Sequence, residues 1–166
     1  MKLVLILLSV MAISISAQQY NLAKWGMSQS QVKAIEDKEL LNETPNLITY
    51  EGHAFGYPAL INYNFEDNKL KMIYIGYVYS DEFQILFKDF LDVRDNLAFL
   101  YDEPTEQGGD WKNNELSDYP ERYDEALHNG DVTFYSQWNI EGDIIALVIE
   151  GPYTPHTMTI YFGQEE

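Results

Sequence analysis

The chain of 166 residues has no cysteine, so no disulfide can brace it and no thiolate can act as nucleophile or carry a lipid. It is also poor in cations: ten Lys and Arg stand against 27 Asp and Glu, a formal net charge of −17. Phosphate contacts need Lys and Arg, so the charge argues against nucleic acid or an anionic membrane surface as a partner. The same charge favours solubility and admits a basic or cationic partner. His53, His128 and His156 stand apart, outside any HExxH or His/Cys cluster, and no zinc site is expected. No serine sits in a Gly-x-Ser-x-Gly turn, and Gly108-Gly109 has neither the spacing nor the lysine of a phosphate loop. The residues point to no catalytic side chain, no metal and no cofactor.

Long apolar runs are equally scarce. The one present, Leu3 to Ile15, follows Lys2 and leads into Ser14-Ile15-Ser16-Ala17. It is shorter than a comfortable membrane span and has the flanks of a signal peptide, residues 1–17, cleaved after Ala17. Cleavage leaves 149 residues, 18–166, enough for a single domain with a sizeable core. Loss of Lys2 leaves nine basic against 27 acidic residues, a net charge of −18. Export without cysteine predicts a soluble periplasmic or secreted protein with no membrane insertion after cleavage.

What the chain does have is aromatic surface: three Trp, thirteen Tyr and eight Phe. These belong either in a core or on a contact surface. Its organising stretch is Trp25-Gly26-Met27-Ser28-Gln29-Ser30-Gln31-Val32. Ser28 with Gln31 is a capping box, and Met27 with Val32 has the spacing of a hydrophobic staple. The pattern predicts helix 1 over Gln29–Leu41, ended by Asn42-Glu43-Thr44-Pro45. Leu47 to Glu51 reads as a strand broken at Gly52, and Tyr57–Phe65 and Lys69–Tyr79 as a hairpin around Asp67-Asn68. That register puts Ala59, Ile61, Tyr63 and Phe65 on one face with Leu70, Met72, Tyr74, Gly76 and Val78. Leu60, Asn62 and Asn64 take the other, with Lys71, Ile73, Ile75, Tyr77 and Tyr79.

Helix 2, about Glu82–Tyr101, repeats the cap with Asp81 and Gln84 and carries Phe83, Leu86, Phe87, Phe90, Leu97 and Leu100 as its apolar stripe. Residues 104–130 turn polar and acidic and read as a long insertion holding one short helix between Tyr119 and His128. Strands resume over Val132–Ile140 and Ile144–Glu150, joined at Gly142-Asp143, and Thr157–Phe162 closes the sheet. Phe134, Trp138, Ile140, Ile145, Leu147 and Ile149 share one face; Tyr135, Gln137, Asn139, Ala146 and Val148 share the other. The predicted fold is therefore α+β: two α-β-β-β units, about 25–79 and 81–163, making a six-stranded antiparallel sheet with helices on one face.

Trp25-Gly26-Met27-Ser28, followed by Val32 and Glu36, resembles the opening of a group of exported bacterial proteins. Phe65 to Leu70 matches their Phe-x-x-Asn-Lys-Leu hairpin. Tyr101-Asp102-Glu103-Pro104 departs from their Tyr-Gly-x-Pro by lacking the glycine. The arrangement is also similar to the β-lactamase-inhibitor-protein fold and, one unit at a time, to small outer-membrane-assembly lipoproteins. Such folds often hold another protein on the bare face of the sheet, which is what the resemblance implies here.

Three surfaces remain as candidates. The acidic stretch, with Asp118, Asp124 and Glu125 among its carboxylates, offers oxygen ligands for calcium or another cation but lacks the EF-hand spacing, so a solvated acidic loop is the simpler reading. The same residues could supply a hydrolase's carboxylates, though no spacing singles out a pair. Trp25 and Trp138 read as core, while Trp111 either covers the core or marks a contact. The bare sheet face is the third, with Ile73, Ile75, Tyr77, Tyr79, Tyr135, Gln137, Asn139 and Tyr161 as the residues expected to bind a protein or peptide. The competing reading is that residues 104–130 fold across that face, or that Tyr and Thr are there as strand formers. The expected role is a non-enzymatic binding module.

Overall fold

The computed structural model describes residues 22–77, 86–151 and 157–164. The leader and its cleavage site, Val78 and Tyr79, the Asp81/Gln84 cap and the Pro152–Pro155 stretch lie outside the described residues.

The capping box forms as expected. Gln31 N–H donates to Ser28 Oγ at 3.4 Å, and Gln31 Oε1 accepts from Ser28 N–H at 2.9 Å. The helix so opened, α1 (Gln29–Ile35), is shorter than expected and does not reach Leu41. Glu36 leaves the helix in an extended conformation, and its buried carboxylate accepts from the Tyr63 hydroxyl at 2.7 Å and from Lys38 Nζ at 2.6 Å. The residues beyond it form β1 (Glu39–Thr44), which pairs with β2 (Leu47–Ala54). The second strand is not broken at Gly52. The glycine makes room there: a Cβ would lie 2.7 Å from Lys38 Cδ.

Then come β3 (Tyr57–Glu66), β4 (Lys69–Tyr77), α2 (Phe87–Tyr101), β5 (Glu106–Trp111), α3 (Tyr123–Asn129), β6 (Val132–Ile140), β7 (Asp143–Glu150) and β8 (Thr157–Gln164). All eight strands join one antiparallel sheet in the order β1-β2-β3-β4-β8-β7-β6-β5. The α+β class stands, but the strand count is eight rather than six. Each half opens on a helix and supplies four strands, with α3 falling between β5 and β6 in the second, and the order reads outward from the β4–β8 seam alike in both halves.

The turns repeat this parallel. Phe55-Gly56 joins β2 to β3 with φ of 51° and 90°, and Glu141-Gly142 joins β6 to β7 with φ of 48° and 90°. Both residues of each turn lie in the left-handed region, the two-residue geometry that matches strand twist. The second turn therefore sits one residue earlier than the expected Gly142-Asp143. The pairing sum changes by two, so the faces of β6 and β7 are as expected. The residues just after these turns, Tyr57 and Asp143, each bond to the other half, Tyr57 to α2 and Asp143 to the turn that precedes α1. Tyr57 donates to Asp92 at 3.0 Å and Asp89 at 3.2 Å on α2, and Trp25 Nε1 donates to Asp143 at 2.7 Å.

The face of β4 is corrected by a bulge. Phe65 pairs with Leu70, but Asn64 pairs with Met72, leaving Lys71 as the extra residue. Beyond it every side chain changes side. Ile73, Ile75 and Tyr77 are buried with Ile61, Tyr63, Leu147, Ile149, Ile160 and Trp138, while Met72, Tyr74 and Gly76 face the other way.

Residues 104–130 are not a loose insertion. They supply β5 as an edge strand and α3, whose Ala126 and Leu127 are fully buried. Phe87, Phe90, Trp111, Tyr123 and Phe134 form one aromatic cluster, with Phe87 and Phe134 centroids 4.5 Å apart and Tyr123 and Phe134 4.8 Å apart. Full burial of a Phe side chain, as at Phe90 and Phe134, stabilises by about 1.5–3 kcal/mol. Asp124 Oδ1 accepts the N–H of Phe87 at 2.7 Å and Asp89 accepts that of Leu86 at 2.8 Å, so carboxylates close the start of α2. α2 thus begins at Phe87, after an extended Leu86, rather than at Glu82.

Candidate functional site

The buried residues of the helices, Val32, Phe90, Val93, Leu97, Ala126 and Leu127, join the core on one face of the sheet, while the other face carries the exposed Met72, Asn139 and Tyr161. That open face is built from alternate residues of successive strands. At its centre Tyr74 of β4 pairs directly with Tyr161 of β8, their ring centroids 5.3 Å apart. Tyr74 leans along its own strand, its hydroxyl 3.1 Å from where a Cβ on Gly76 would sit. Tyr161 is 40% exposed and Met72 37%, enough for a partner to reach both. Partial burial is the main cause that raises the Tyr161 hydroxyl pKa, with Tyr74 and the charge of Glu150 adding to it.

Polar groups flank this centre and hold one another in place. Thr49 Oγ1 donates to Asn62 Oδ1 at 2.8 Å, and Asn62 Nδ2 donates to the carbonyls of Leu60 and Tyr74, each at 3.3 Å. In the other half Gln137 Nε2 donates to Asn139 Oδ1 at 2.9 Å, and the Tyr135 hydroxyl donates to Glu106 at 3.0 Å. That hydrogen bond, then the charge of Glu106, raises the Tyr135 pKa. The surface is a pre-ordered one of aromatic rings and amides, able to give contact area and hydrogen bonds.

Of the residues expected to bind, Tyr135, Gln137, Asn139 and Tyr161 lie on this face. Ile73 and Ile75 are fully buried and Tyr77 is 8% exposed, all on the helical side, so the structure removes them from it. Tyr79 lies outside the described residues. In their place it brings Met72 and Tyr74, which the sequence reading assigned to the core. The sequence carries little signal for this: Lys71 fits an outward slot in either register, and the bulge shows only in the strand pairing.

The acidic residues of 104–130 are dispersed. Asp124 serves α2, and Glu125 accepts a forked pair from Arg122 at 2.7 and 2.9 Å, which lowers its pKa. Among the described residues no three His, Asp or Glu side chains come together as a metal-holding group, so the calcium alternative finds no ligand set there. Trp25 is half-buried against the core and Trp138 is fully inside it. Trp111, left open by the sequence, lies against Tyr123 and Phe134 at 5.5 and 5.7 Å and covers the core. Among the described residues no helix is long and apolar enough to cross a membrane.

Neither a protein-family model, a curated protein nor a solved structure matches this chain.

Proposed function

We propose that this protein is an exported, non-enzymatic binding module that holds a protein or peptide partner on the open face of its sheet. The observation that carries the proposal is the one-sided covering of an eight-stranded sheet, with the bare side presenting Tyr74, Tyr161, Tyr135 and ordered amides. Rigid aromatic side chains give contact area at low entropic cost, and pre-bonded amides lose little freedom on docking. The resemblance to β-lactamase-inhibitor-protein-like folds supports this reading by analogy, since such folds often use the bare face to hold another protein.

The test is site-specific photocrosslinking in the producing cell. A photoreactive side chain at Tyr161 or Tyr135 should give a partner adduct of one defined mass, and the same group at the exposed Lys33 of α1 should not. Adducts from neither face position, or equal adducts from Lys33, would overturn the assignment. A Tyr135→Ala/Tyr161→Ala variant should lower affinity for the captured partner at least tenfold, since central aromatics carry about 2 kcal/mol or more each when truncated.

A further inference from the structure

A second concave surface lies on the helical side of the molecule, away from the open face. It is a groove of about 660 Å³ between the β2–β3 turn and the outward side of α2. Phe55 and Tyr57 form one wall. Asp92, Asp95, Asn96 and Phe99 form the other, spaced at i, i+3, i+4 and i+7 along one stripe of the helix. Phe99 is 89% exposed, an aromatic ring standing in water at the groove's end. Phe55 turns its backbone to φ of 51° because it is the first residue of the two-residue β2–β3 turn, as Glu141 is in the matching turn of the second half.

The charge of the groove is negative. Asp92 accepts from the neutral hydroxyl of Tyr57 at 3.0 Å, and Asp89 shares that donor at 3.2 Å. Asp95 is bonded to Arg94 at 2.6 Å, but Arg94 lines the adjoining groove with Glu103 rather than this one. Asp92 and Asp95 thus line the groove with two carboxylates, and among the described residues one guanidinium is paired with them. Burial foremost, then the hydrogen bond to Asp92 and the charge of Asp89, push the Tyr57 hydroxyl well above its ordinary range, as a negative field does.

We infer that this groove binds an arginine side chain presented by a protein or peptide. A guanidinium offers a planar fork of donors to a carboxylate and a flat face to an aromatic ring, and the groove supplies both partners within one turn of helix. A net charge of −17 draws such a ligand to the molecule, while the aromatic walls determine where it lodges. The inference is separate from the open sheet face, and either can fail without the other.

The experiment is a titration of the full ¹⁵N-labelled chain with the capped tripeptide Gly-Arg-Gly, at low and at physiological ionic strength. Saturable shifts are expected in the amides around Phe55–Tyr57 and Asp92–Phe99, and none with Gly-Gln-Gly. Phe99→Ala should weaken binding about two- to fivefold, the worth of one exposed cation–π contact. Asp92→Asn/Asp95→Asn should abolish it, and Glu39→Gln/Glu51→Gln, with the same charge change elsewhere, should preserve it. Should the double Asn variant fail to fold, Phe99→Ala decides, because that side chain buries almost nothing. Shifts scattered over the surface, equal weakening by the Glu39/Glu51 control, or no saturable shift would overturn the site. Equal affinity for Gly-Lys-Gly would overturn its assignment to a guanidinium.

Discussion

The indole N–H of Trp138 donates to the backbone carbonyl of Asp102 at 2.8 Å, joining the centre of the sheet core to the residue that ends α2. Asp102 is held there at φ 65° and ψ −172°, a conformation open almost only to glycine. This is the position at which the Tyr-Gly-x-Pro pattern carries Gly and this chain carries Asp.

Replacing Asp102 by Gly should therefore stabilise the protein by about 1 kcal/mol. Relief of about 1–3 kcal/mol of strain is partly offset by the greater entropy glycine has in the unfolded chain. The Trp138 bond survives, because its acceptor is backbone. Urea unfolding measures the effect, and a midpoint equal to or below wild type would show that the conformation carries no strain. Asp102→Ala should bring no such gain.

What the sequence disclosed was what burial had patterned. β3, β6 and β7 each carry one apolar face, and their faces were readable; so was the Ser28/Gln31 cap, because its chemistry is local. β1 and β5 were invisible for the opposite reason. All six residues of β1 are exposed, and β5 buries none of its six. An edge strand needs no alternation, so it leaves no period to detect. Leu40-Leu41 continued the helical pattern of α1 well enough to hide the break at Glu36, whose cause is a contact with Tyr63, 27 residues away. The candidate face was half legible. Its β6 and β8 residues were found, and its β4 residues were inverted by one unpaired Lys71.

The two neighbouring glycines of β5 should behave differently. A Cβ on Gly109 would lie 2.8 Å from Trp111 Nε1 and 3.0 Å from Phe134, rings locked in the aromatic cluster. A Cβ on Gly108 would meet the Tyr135 hydroxyl at an ordinary 3.5 Å. Gly109→Ala is thus expected to cost about 1–3 kcal/mol through overpacking, with a shift in Trp fluorescence. Gly108→Ala should be neutral or slightly stabilising. Equal effects at both positions would mean that Trp111 is not packed as described.

The buried Glu36 carboxylate, with Lys38 Nζ at 2.6 Å and the Tyr63 hydroxyl at 2.7 Å, poses a test of whether charge in a core stabilises or only specifies. Lys38→Met alone should cost about 3 kcal/mol, since it leaves the carboxylate buried without its cation. Adding Glu36→Leu and Tyr63→Phe should recover most of that loss, as no desolvated charge remains. A triple variant no more stable than Lys38→Met, measured by denaturant unfolding, would show that the ion pair contributes more than its desolvation costs.

Tyr57 links the two halves through a proton, and that makes its contribution dependent on pH. Its pKa in the folded protein is raised, first by burial, then by the hydrogen bond to Asp92 and the charge of Asp89. In the unfolded chain it ionises near the ordinary tyrosine value of about 10. Below that value both states hold the proton, and the bonds to Asp92 and Asp89 contribute in full. Above it the unfolded state releases the proton while the folded state keeps it, so stability falls as pH rises toward the folded pKa. Tyr57→Phe has no such proton. The variant should be less stable than wild type by about 1 kcal/mol at neutral pH, and the gap should close as pH climbs past the ordinary tyrosine value. Tyr101, raised by burial and then by Asp143, keeps part of the alkaline slope in the variant. Unfolding free energies of the two proteins across neutral to alkaline pH measure this, and a gap that stays constant or widens would show that the Tyr57 hydroxyl is not held by those carboxylates.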